Sequence, residues 1–534
     1  MDQSFEEGIR LRKQASALRP IQTKVQNRSS SELTSNDGSH HQEINGEDND
    51  RDQPVSPAGQ LFHEPNFNVH ILAIMGCKTK IDVAVVRANL PHTLLKHPRF
   101  SSFPVVDQEK GGEMKWVRRK VDLDKHVITP EVDLSNYKEC PDKYVEDYIY
   151  NLTKTSVDKS RPLWDLHILN VKTSAAEGVG IFRIHHSLGD GISLMSLLLA
   201  CTRQTSDPVA LPTLPTKKPD TNNWKRFGFF DTRSFVGFIF GLWWVLKLFW
   251  NTLLDVLMFA GTALLLVKDT NTPIKGPPGS EKNPRRIVYK IVSLDDMKLV
   301  KNAMNTTIND VALGATQAGL SKYLNRRYGI ENQNDEGETE RKNNLPKKIR
   351  LRSILFVNIR PSSGIQALAD MMEKNTKAKW GNSFAYVLLP FTIGLRDDPL
   401  DYVREAKSTI DRKKHSLEAL FTFSIIGLVF KFFGLKSASS LFQRLFSSTT
   451  MAFSNVVGPL EEIGFYGHPM AYLSANSYGQ ANELVICIQS YVNKMSVSLS
   501  VDENTIPDPY QLCDDIVESL KLIKHTIIEK GLIK

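Results

Sequence analysis

The string HHSLGDG, at residues 185–191, combines two histidines, a carboxylate and two glycines at the end of an apolar segment. A histidine whose pKa is near neutrality can accept a proton from a hydroxyl group, so the string is a candidate site of base catalysis. Side chains alternate between the two faces of a strand, so the two histidines point in opposite directions. His186 continues the apolar face of Ile184, whereas His185 shares its face with Arg183. His186 is therefore the candidate proton acceptor, and His185 is interpreted as a supporting structural neighbour.

The residues after the histidines are expected to open a buried helix. The run from Ile192 to Cys201 is rich in Leu, Met, Ser and Ala, and Asp190 stands where it can cap the first turn. A sharper interpretation is that Asp190 forms an ion pair that locks the turn and fixes the direction of His186. Gly189 and Gly191 would let the backbone pass close to a substrate. No metal site is expected, because the strand splays the two histidines apart.

Six strings resemble, in the same order, the blocks of one enzyme family. HHSLGDG is similar to the His-His-x-x-x-Asp-Gly signature of the wax ester synthase/diacylglycerol acyltransferase family, whose wider relatives are chloramphenicol-acetyltransferase-like enzymes. The other five strings are RPLWDLHIL (161–169), TINDVALGA (307–315), VNIRP (357–361), SNVVGP (454–459) and VDENTIPDP (501–509). The resemblance runs from about Ser56 to the C-terminus, and SPAGQLFHEP and WGNSF are most similar to the plant branch of the family.

The resemblance implies an α/β fold made of two chloramphenicol-acetyltransferase-like domains, with a crossover segment between them and an active-site channel at their interface. We expect a disordered N-terminal tail at residues 1–55 and a first acyltransferase domain, carrying the histidine motif, at 56–206. A proline-rich linker and apolar crossover would occupy 207–284, and a second acyltransferase domain would occupy 285–534.

The resemblance also implies the reaction. The substrate would be an acyl-CoA, with no separate cofactor, and the acceptor would be a long-chain fatty alcohol, giving a wax ester, or diacylglycerol, giving triacylglycerol. The sequence has no Gly-x-Ser-x-Gly elbow and no cysteine in a recognisable nucleophile motif, so direct transfer with His186 as base is expected. By analogy with the structural Asp-Arg pair of the wider superfamily, Arg360 is the candidate partner of Asp190.

Five further residues are candidates for the walls of the substrate channel. Trp164 opens a strand expected to pair with the histidine strand, and it is either a core residue or part of the acyl channel. Asn309 and Asp310 fit a helix capping box or the active-site wall. Ser454 and Asn455 either satisfy backbone groups in the following Gly-Pro turn or face the reaction centre.

The segment Phe235 to Val267 is apolar and aromatic almost throughout, and it is long enough to cross a bilayer. Lys247, Asn251 and Asp255 nevertheless recur along one side of a helix, which is costly in lipid. The segment therefore spans the membrane with a masked stripe, lies in the interface, or docks on the protein. Membrane attachment is favoured, with the enzyme on the endoplasmic reticulum or the plasma membrane and its domains facing the cytosol. Phe421 to Leu435 is a second apolar run, either a core helix or a membrane-facing patch.

Composition narrows the alternatives. The formal net charge of +8 suits contact with polyanions or with an anionic membrane surface, but no nucleic-acid motif is present, so no nucleic-acid partner is expected. Five scattered cysteines indicate reduced thiols. Two other functions stay open at this point. The chain could be a soluble acyltransferase acting on a polar acceptor, or a lipid-binding membrane protein without activity.

Overall fold

The computed structural model describes residues 53–107, 113–215, 235–277, 279–331, 342–359, 365–374, 380–382 and 384–532. The expected disordered tail therefore lies outside the described residues up to residue 52. Its predicted end at residue 55 is too late, because Gln53 and Pro54 pair as a short strand with Trp116 and Lys115. Val55 is 2% exposed and belongs to a hydrophobic core cluster, so residues 53–55 are part of the folded domain.

Sixteen strands are present in the described residues. They are β1 Gln53–Pro54, β2 His70–Cys77, β3 Ser102–Asp107, β4 Glu113–Arg118, β5 Val127–Ile128, β6 Trp164–Leu169, β7 Gly178–His185, β8 Arg203–Gln204, β9 Arg286–Ser293, β10 Leu351–Asn358, β11 Phe384–Phe391, β12 Met451–Val456, β13 Ile463–Phe465, β14 His468–Tyr478, β15 Leu484–Tyr491 and β16 Lys494–Val501.

Twelve α-helices accompany these strands in the described residues. They are α1 Pro57–Leu61, α2 Val83–Asn89, α3 Leu123–His126, α4 Pro141–Thr153, α5 Gly191–Ala200, α6 Phe235–Ala263, α7 Leu294–Ala303, α8 Ile308–Glu331, α9 Ile365–Lys374, α10 Leu400–Lys414, α11 Glu418–Ser448 and α12 Pro509–Glu529.

The strands form two large mixed sheets and one small one. The first large sheet has the order β5-β6-β7-β2-β14-β13-β8, and the second has the order β11-β10-β12-β15-β16-β9. A three-stranded sheet of order β1-β4-β3 flanks the first. The expected pairing of the Trp164 strand with the histidine strand is present, with Trp164 opposite Ile184 and Leu169 opposite Val179.

The division of the chain at residue 285 does not separate the two sheets. Strands β13 and β14 come after residue 285 in the sequence, yet they belong to the first sheet. Tyr478 of β14 pairs there with His70 of β2. A polar seam then joins β14 to the second sheet, because Ser474 Oγ lies 2.6 Å from Ser496 Oγ and Asn476 Nδ2 donates to Ser498 Oγ at 2.9 Å. The two halves are therefore interlocked by a strand that the second half contributes to the first.

Alternation along β15 explains why a cavity and a core form on opposite sides of the second sheet. Leu484, Ile486 and Ile488 belong to the core beneath helices α8 and α12. The intervening side chains line a cavity between the two sheets. Each pairs directly with a cavity-lining residue of β12: Val485 with Ala452, Cys487 with Ser454 and Gln489 with Val456.

The apolar crossover forms helix α6, which docks along one side on the protein. Asn251 donates to the His415 carbonyl at 3.1 Å, and Thr262 Oγ1 accepts a hydrogen bond from Arg352 at 2.6 Å. Asp255 accepts hydrogen bonds from Arg412 and Lys413 at 3.0 and 2.8 Å. The polar stripe predicted from the sequence is therefore turned inward, except for Lys247, which is exposed.

Helix α11 packs beside α6 and is broken at Gly434, whose backbone angles are φ 76° and ψ −178°. Thr422 Oγ1 donates to the Tyr386 carbonyl at 2.8 Å, and the rings of Phe442 and Tyr386 lie 4.9 Å apart. The helical segments before and after Gly434 therefore both contact Tyr386 of β11. Helix α11 is thus a helical hairpin with these two segments as its arms and with its tip at Gly434. By length and composition alone, residues 237–263 and 418–448 could each cross a membrane.

Candidate active site

The histidine motif lies where the first sheet gives way to helix α5. Strand β7 ends at His185, which pairs with His70 of β2, and a 3-10 turn at residues 186–188 follows. The backbone amide of His186 donates to the Val69 carbonyl at 2.9 Å. Phe182, Ile184 and His186 all line the cavity between the sheets, so strand alternation continues into the turn and sets the side on which the His186 imidazole lies.

His185 is fully buried and points away from the cavity into a cluster of polar side chains. Its Nε2 lies 3.1 Å from Asn68 Oδ1, and its Nδ1 lies 2.7 Å from Ser187 Oγ. The Ser187 backbone amide also donates to Nδ1, at 3.3 Å. An amide proton needs an acceptor, so Nδ1 is unprotonated and Nε2 carries the proton. Burial holds the pKa of His185 well below its usual value, and the neutral ring serves to fix the turn that carries His186.

The His186 imidazole lies flat against an aromatic ring. Phe62 stacks on it with ring centroids 4.2 Å apart and an interplanar angle of 22°. Phe62 follows helix α1, which the sequence starts through Ser56, whose Oγ accepts from the Gly59 amide at 3.2 Å, and through Pro57 in the first turn. Phe62 is 3% exposed, so the ring is a fixed wall beside the imidazole.

Burial lowers the pKa of His186 below its usual value of 6.5, while its own backbone carbonyl, Asp190 and Asn382 act in the opposite direction. Nδ1 of this imidazole is shielded from solvent. A lowered pKa favours the neutral ring, in which one nitrogen keeps a lone pair that can accept a proton. The ring is therefore in the protonation state that a proton acceptor requires.

Two side chains far along the sequence clamp the turn that holds His186. Asn382 Nδ2 donates to the carbonyls of His186 and Ser187 at 3.0 and 3.3 Å. Trp380 Nε1 donates to the carbonyl of Leu188 at 2.6 Å. Three successive carbonyls of the turn thus accept hydrogen bonds from side chains of the string WGN.

Asp190 caps helix α5, since its Oδ1 accepts from the Ser193 amide at 2.9 Å. Asp190 and Gly191 both line the cavity. A Cβ atom on Gly191 would meet nothing within 4 Å, whereas one on Gly189 would lie 2.9 Å from the Trp380 ring. Gly189 therefore serves the clamp rather than the cavity. Arg360, the predicted partner of Asp190, lies outside the described residues.

The cavity between the sheets has a volume of about 800 Å³, within the range of ligand pockets. Helix α5, strands β2, β6 and β7, and the 3-10 turns after α2 supply its apolar wall, which includes Leu90, Leu94, Phe100, Leu166, Phe182, Leu194, Leu197 and Leu198. Strands β12, β14 and β15 supply a more polar wall, which includes Ser454, Asn455, Asn476, Ser477 and Gln489. Such a cavity suits a substrate with a long hydrocarbon chain and a polar reacting group.

The predicted channel residues divide into two groups. Ser454 and Asn455 line the cavity, and Asn455 Nδ2 donates to Oδ1 of Asn309, which does not line it but braces this wall. Asp310 is fully buried and forms a capping box with Thr307, whose amide donates to Asp310 Oδ2 at 2.8 Å while the Asp310 amide donates to Thr307 Oγ1 at 3.2 Å. In the structure, Asp310 therefore caps helix α8.

Trp164 is 1% exposed and does not line the cavity. Its indole Nε1 donates to the Phe100 carbonyl at 2.9 Å, and its ring meets the edge of Phe182 at 5.7 Å. Phe100 and Phe182 do line the cavity, so Trp164 supports the acyl wall from behind.

Among the residues that the structure describes, no three His, Cys, Asp or Glu side chains converge in the way that metal ligands do. Phe62, Trp380 and Asn382 are site residues that the sequence alone does not reveal. The strings that contain them, SPAGQLFHEP and WGNSF, indicate a branch of the family but no place in the site. An aromatic or amide side chain remote in sequence carries no local pattern that links it to a histidine.

The two interlocked sheets and the cavity between them define the chloramphenicol-acetyltransferase-like fold, as expected from the sequence. A solved wax ester synthase/diacylglycerol acyltransferase from Marinobacter aquaeolei VT8 has this fold, with a TM-score of 0.53 at 15% identity over 90% of this chain and 100% of that one. The first condensation domain of the CDA synthetase gives a TM-score of 0.51 at 12% identity, over 89% of this chain and 96% of that domain.

Sequence comparison places the chain within this class. Residues 60–312 match the wax ester synthase/diacylglycerol acyltransferase catalytic domain, and residues 380–524 match the WS/DGAT C-terminal domain. Wax ester synthase/diacylglycerol acyltransferase 11 of Arabidopsis thaliana is 51% identical over 90% of this chain and 96% of the relative. Wax ester synthase/diacylglycerol acyltransferase 4 of the same plant is 48% identical over 91% and 92%. The chain belongs to the wax ester synthase/diacylglycerol acyltransferase family and is an acyltransferase.

Proposed function

We propose that the chain transfers a fatty acyl group from coenzyme A to a long-chain alcohol, forming a wax ester, or to diacylglycerol, forming triacylglycerol. His186 is the proton acceptor in this proposal. The observation that carries it is the position of the His186 imidazole on the wall of a largely apolar cavity of about 800 Å³ between the two sheets. The family membership supplies the acyl-CoA donor and the two classes of acceptor.

The reaction follows from the neutral imidazole of His186. The imidazole accepts the hydroxyl proton as the alcohol oxygen attacks the thioester carbonyl, and a tetrahedral intermediate forms. Its collapse breaks the carbon–sulfur bond, and the leaving thiolate of coenzyme A takes the proton back from the imidazolium. The apolar part of the cavity wall disfavours water, which would otherwise compete as the acceptor. Acyl-CoA is consumed as a substrate, and the proposal requires no further cofactor.

The acceptors of this reaction dissolve in lipid, and we propose that the enzyme takes them from a membrane on which helices α6 and α11 lie. Phe356 lines the cavity and packs on Tyr386, with ring centroids 5.3 Å apart. Tyr386 in turn contacts both arms of the α11 hairpin. Apolar side chains in contact with one another therefore connect the proposed membrane face to the cavity wall, and this supports entry of the acceptor from that side.

The endoplasmic reticulum is the proposed location, with the plasma membrane as the alternative and with both domains facing the cytosol. All five cysteines are free thiols, and four of them are buried, which suits a reducing compartment. Fractionation of cells expressing a tagged full-length chain, followed by protease protection of intact microsomes, tests this arrangement. Digestion of both domains without detergent supports cytosolic exposure, and protection of either domain contradicts it.

A variant pair tests the catalytic proposal. Purified His186→Ala is expected to form ester from radiolabelled acyl-CoA about 10²- to 10⁴-fold more slowly than the parent, since positioned base catalysis contributes that factor. His92→Ala, which removes an exposed histidine, is the matched control and should keep the parental rate. Both acceptors compete in one assay, with the products separated by chromatography. A His186→Ala protein that is folded by circular dichroism and fully active contradicts the proposal.

A further inference from the structure

Helices α6 and α11 present an outer surface that combines exposed aromatic rings with charges of a single sign. Phe240, Trp243 and Trp250 of α6 are 69%, 64% and 60% exposed, and Phe432 and Phe433 at the tip of the hairpin are 69% and 71% exposed. Large apolar side chains that are this exposed mark an interaction site on a folded protein.

The two carboxylates on these helices are turned away from that surface. Asp255 is 2% exposed and Glu418 is 1% exposed. Both are paired with Lys413, at 2.8 and 2.6 Å. Because the negative charges are neutralised inside the protein, they do not contribute to the field at the outer face.

The remaining charges of these helices are exposed to solvent. The exposed ones are Lys247, Lys431, Lys436 and Arg444, and Lys268 follows the end of α6. Within the described side chains of α6 and α11, every exposed charge is therefore positive. A cationic, aromatic surface is complementary to a layer of anionic headgroups over hydrocarbon.

The length of the hairpin limits how deeply it can enter lipid. Thr422 and Phe442 both contact Tyr386 and lie about ten residues on either side of Phe432. At about 1.5 Å per helical residue, the tip of the hairpin is about 15 Å from Tyr386 along the helix axis. This is about half of the ~30 Å hydrocarbon thickness of a bilayer, and the hairpin cannot span it.

The lysines next to the tip restrict the insertion further. Lys431 Nζ lies 5.9 Å from the centre of the Phe432 ring, and Lys436 follows the break at Gly434 by two residues. Ammonium groups stay at the level of the headgroups, because burial in hydrocarbon is costly. The phenylalanine rings would then enter just below the headgroups, as in interfacial helices.

We propose that the hairpin tip, together with the outer face of α6, binds anionic phospholipid, with Phe432 and Phe433 inserted and Lys431 and Lys436 at the headgroup phosphates. This inference rests on the proposed membrane attachment, and it adds that the charge of the headgroups decides how tightly the enzyme is held. The enzyme is thereby placed on membranes whose cytosolic leaflet is negative.

Flotation of the full-length protein with two kinds of vesicle tests this assignment. Phosphatidylcholine vesicles measure the apolar contribution, and vesicles that mix phosphatidylcholine with phosphatidylserine add the charge. Partitioning into the mixed vesicles is expected to be at least about ten-fold stronger, and this difference should disappear in high salt, where surface charges are screened.

Paired variants separate the two contributions. Lys431→Ser with Lys436→Ser should lose most of the phosphatidylserine increment and keep the binding to phosphatidylcholine. Phe432→Ser with Phe433→Ser should weaken binding to both vesicles. Lys138→Ser with Lys143→Ser removes two exposed lysines at the same spacing, in and just before α4, and should bind like the parent.

Two results would overturn the assignment. One is equal flotation with both kinds of vesicle, and the other is unchanged phosphatidylserine binding by the lysine variant; either would leave this face to a protein partner. Ester formation from a short-chain alcohol in detergent is the separate readout of the proposed function. The lysine variant should retain that activity, so a failure of lipid binding and a failure of catalysis are distinguishable.

Discussion

The side-chain amide of Asn382 donates a hydrogen bond of 3.0 Å to the backbone carbonyl of His186. This carbonyl belongs to the turn that carries the imidazole, so Asn382 holds the backbone from which the base projects. The two residues lie 196 positions apart and meet because β11 of the second sheet begins beside the turn that ends β7 of the first. The base is thus positioned by the contact between the two halves of the fold.

Replacing Asn382 should therefore damage catalysis more than substrate binding. In Asn382→Ala the carbonyls of His186 and Ser187 lose the hydrogen bonds from this side chain, and the turn is less firmly held. A misplacement of about 1 Å in a catalytic group costs about 10²-fold in rate. Steady-state kinetics should show this loss in kcat with KM nearly unchanged. Asn151→Ala, at an exposed position on α4, provides the comparison, and an equal kcat in the two variants would show that Asn382 does not position the base.

A second prediction concerns Phe62, whose ring stacks on the His186 imidazole with ring centroids 4.2 Å apart. Phe62→Leu keeps an apolar side chain in the same cluster but removes the flat wall, so the imidazole gains rotational freedom. We expect kcat to fall by about ten-fold, the size of an aromatic pair interaction of about 1 kcal/mol or a little more. Phe62→Tyr retains the ring and should restore most of the rate. Equal rates in the Leu and Tyr variants would argue against a role for the stack.

The pH dependence of the reaction follows from the buried position of His186. Burial lowers the pKa of this imidazole below 6.5, and only the neutral ring accepts a proton. The value of kcat/KM should therefore be flat above about pH 6.5 and fall as the pH drops through the lowered pKa. A profile recorded between about pH 5 and 8 checks this, and a midpoint above the usual histidine value contradicts it.

A variant of Asp190 gives a second test of the pH profile of kcat/KM. Its carboxylate raises the pKa of His186 against the effect of burial. Asp190→Asn keeps a side chain that can cap helix α5 but removes the charge. The midpoint of the profile should consequently move to a lower pH in this variant, while the helix content measured by circular dichroism stays the same.

Local patterns in the sequence predicted the local features of this molecule well, but they did not predict its long-range contacts. Strand alternation placed His186 on the side of Phe182 and Ile184, and all three line the cavity. The fold class, which the order of the family blocks implied, is confirmed by the two sheets and by the solved relatives. The capping positions of Asp190 and Asp310 were also readable, because a cap acts within one helical turn.

The remaining features depend on contacts between distant segments. No period in the sequence shows that β14 completes the first sheet or that Phe62 lies on His186. The polar stripe of α6 was visible, but the sequence favoured membrane attachment and left docking on the protein as an alternative. Only the positions of Arg412 and Lys413 relative to Asp255 reveal that the stripe docks on the protein.

The cavity itself predicts how acyl-chain preference can be altered. Ala73 of β2 lines it, and Phe182, which also lines it, is its cross-strand neighbour in β7. Ala73→Phe should fill part of the 800 Å³ volume and exclude the distal carbons of a long chain, since a packed wall gives way only at a cost of about 1–3 kcal/mol. The ratio of kcat/KM for a sixteen-carbon over an eight-carbon acyl-CoA should fall by about ten-fold or more, with the short substrate nearly unaffected. Ala84→Phe, on the exposed side of α2, should leave the ratio at its parental value. If both variants keep that ratio, the acyl chain does not lie against β2 and another wall of the cavity receives it.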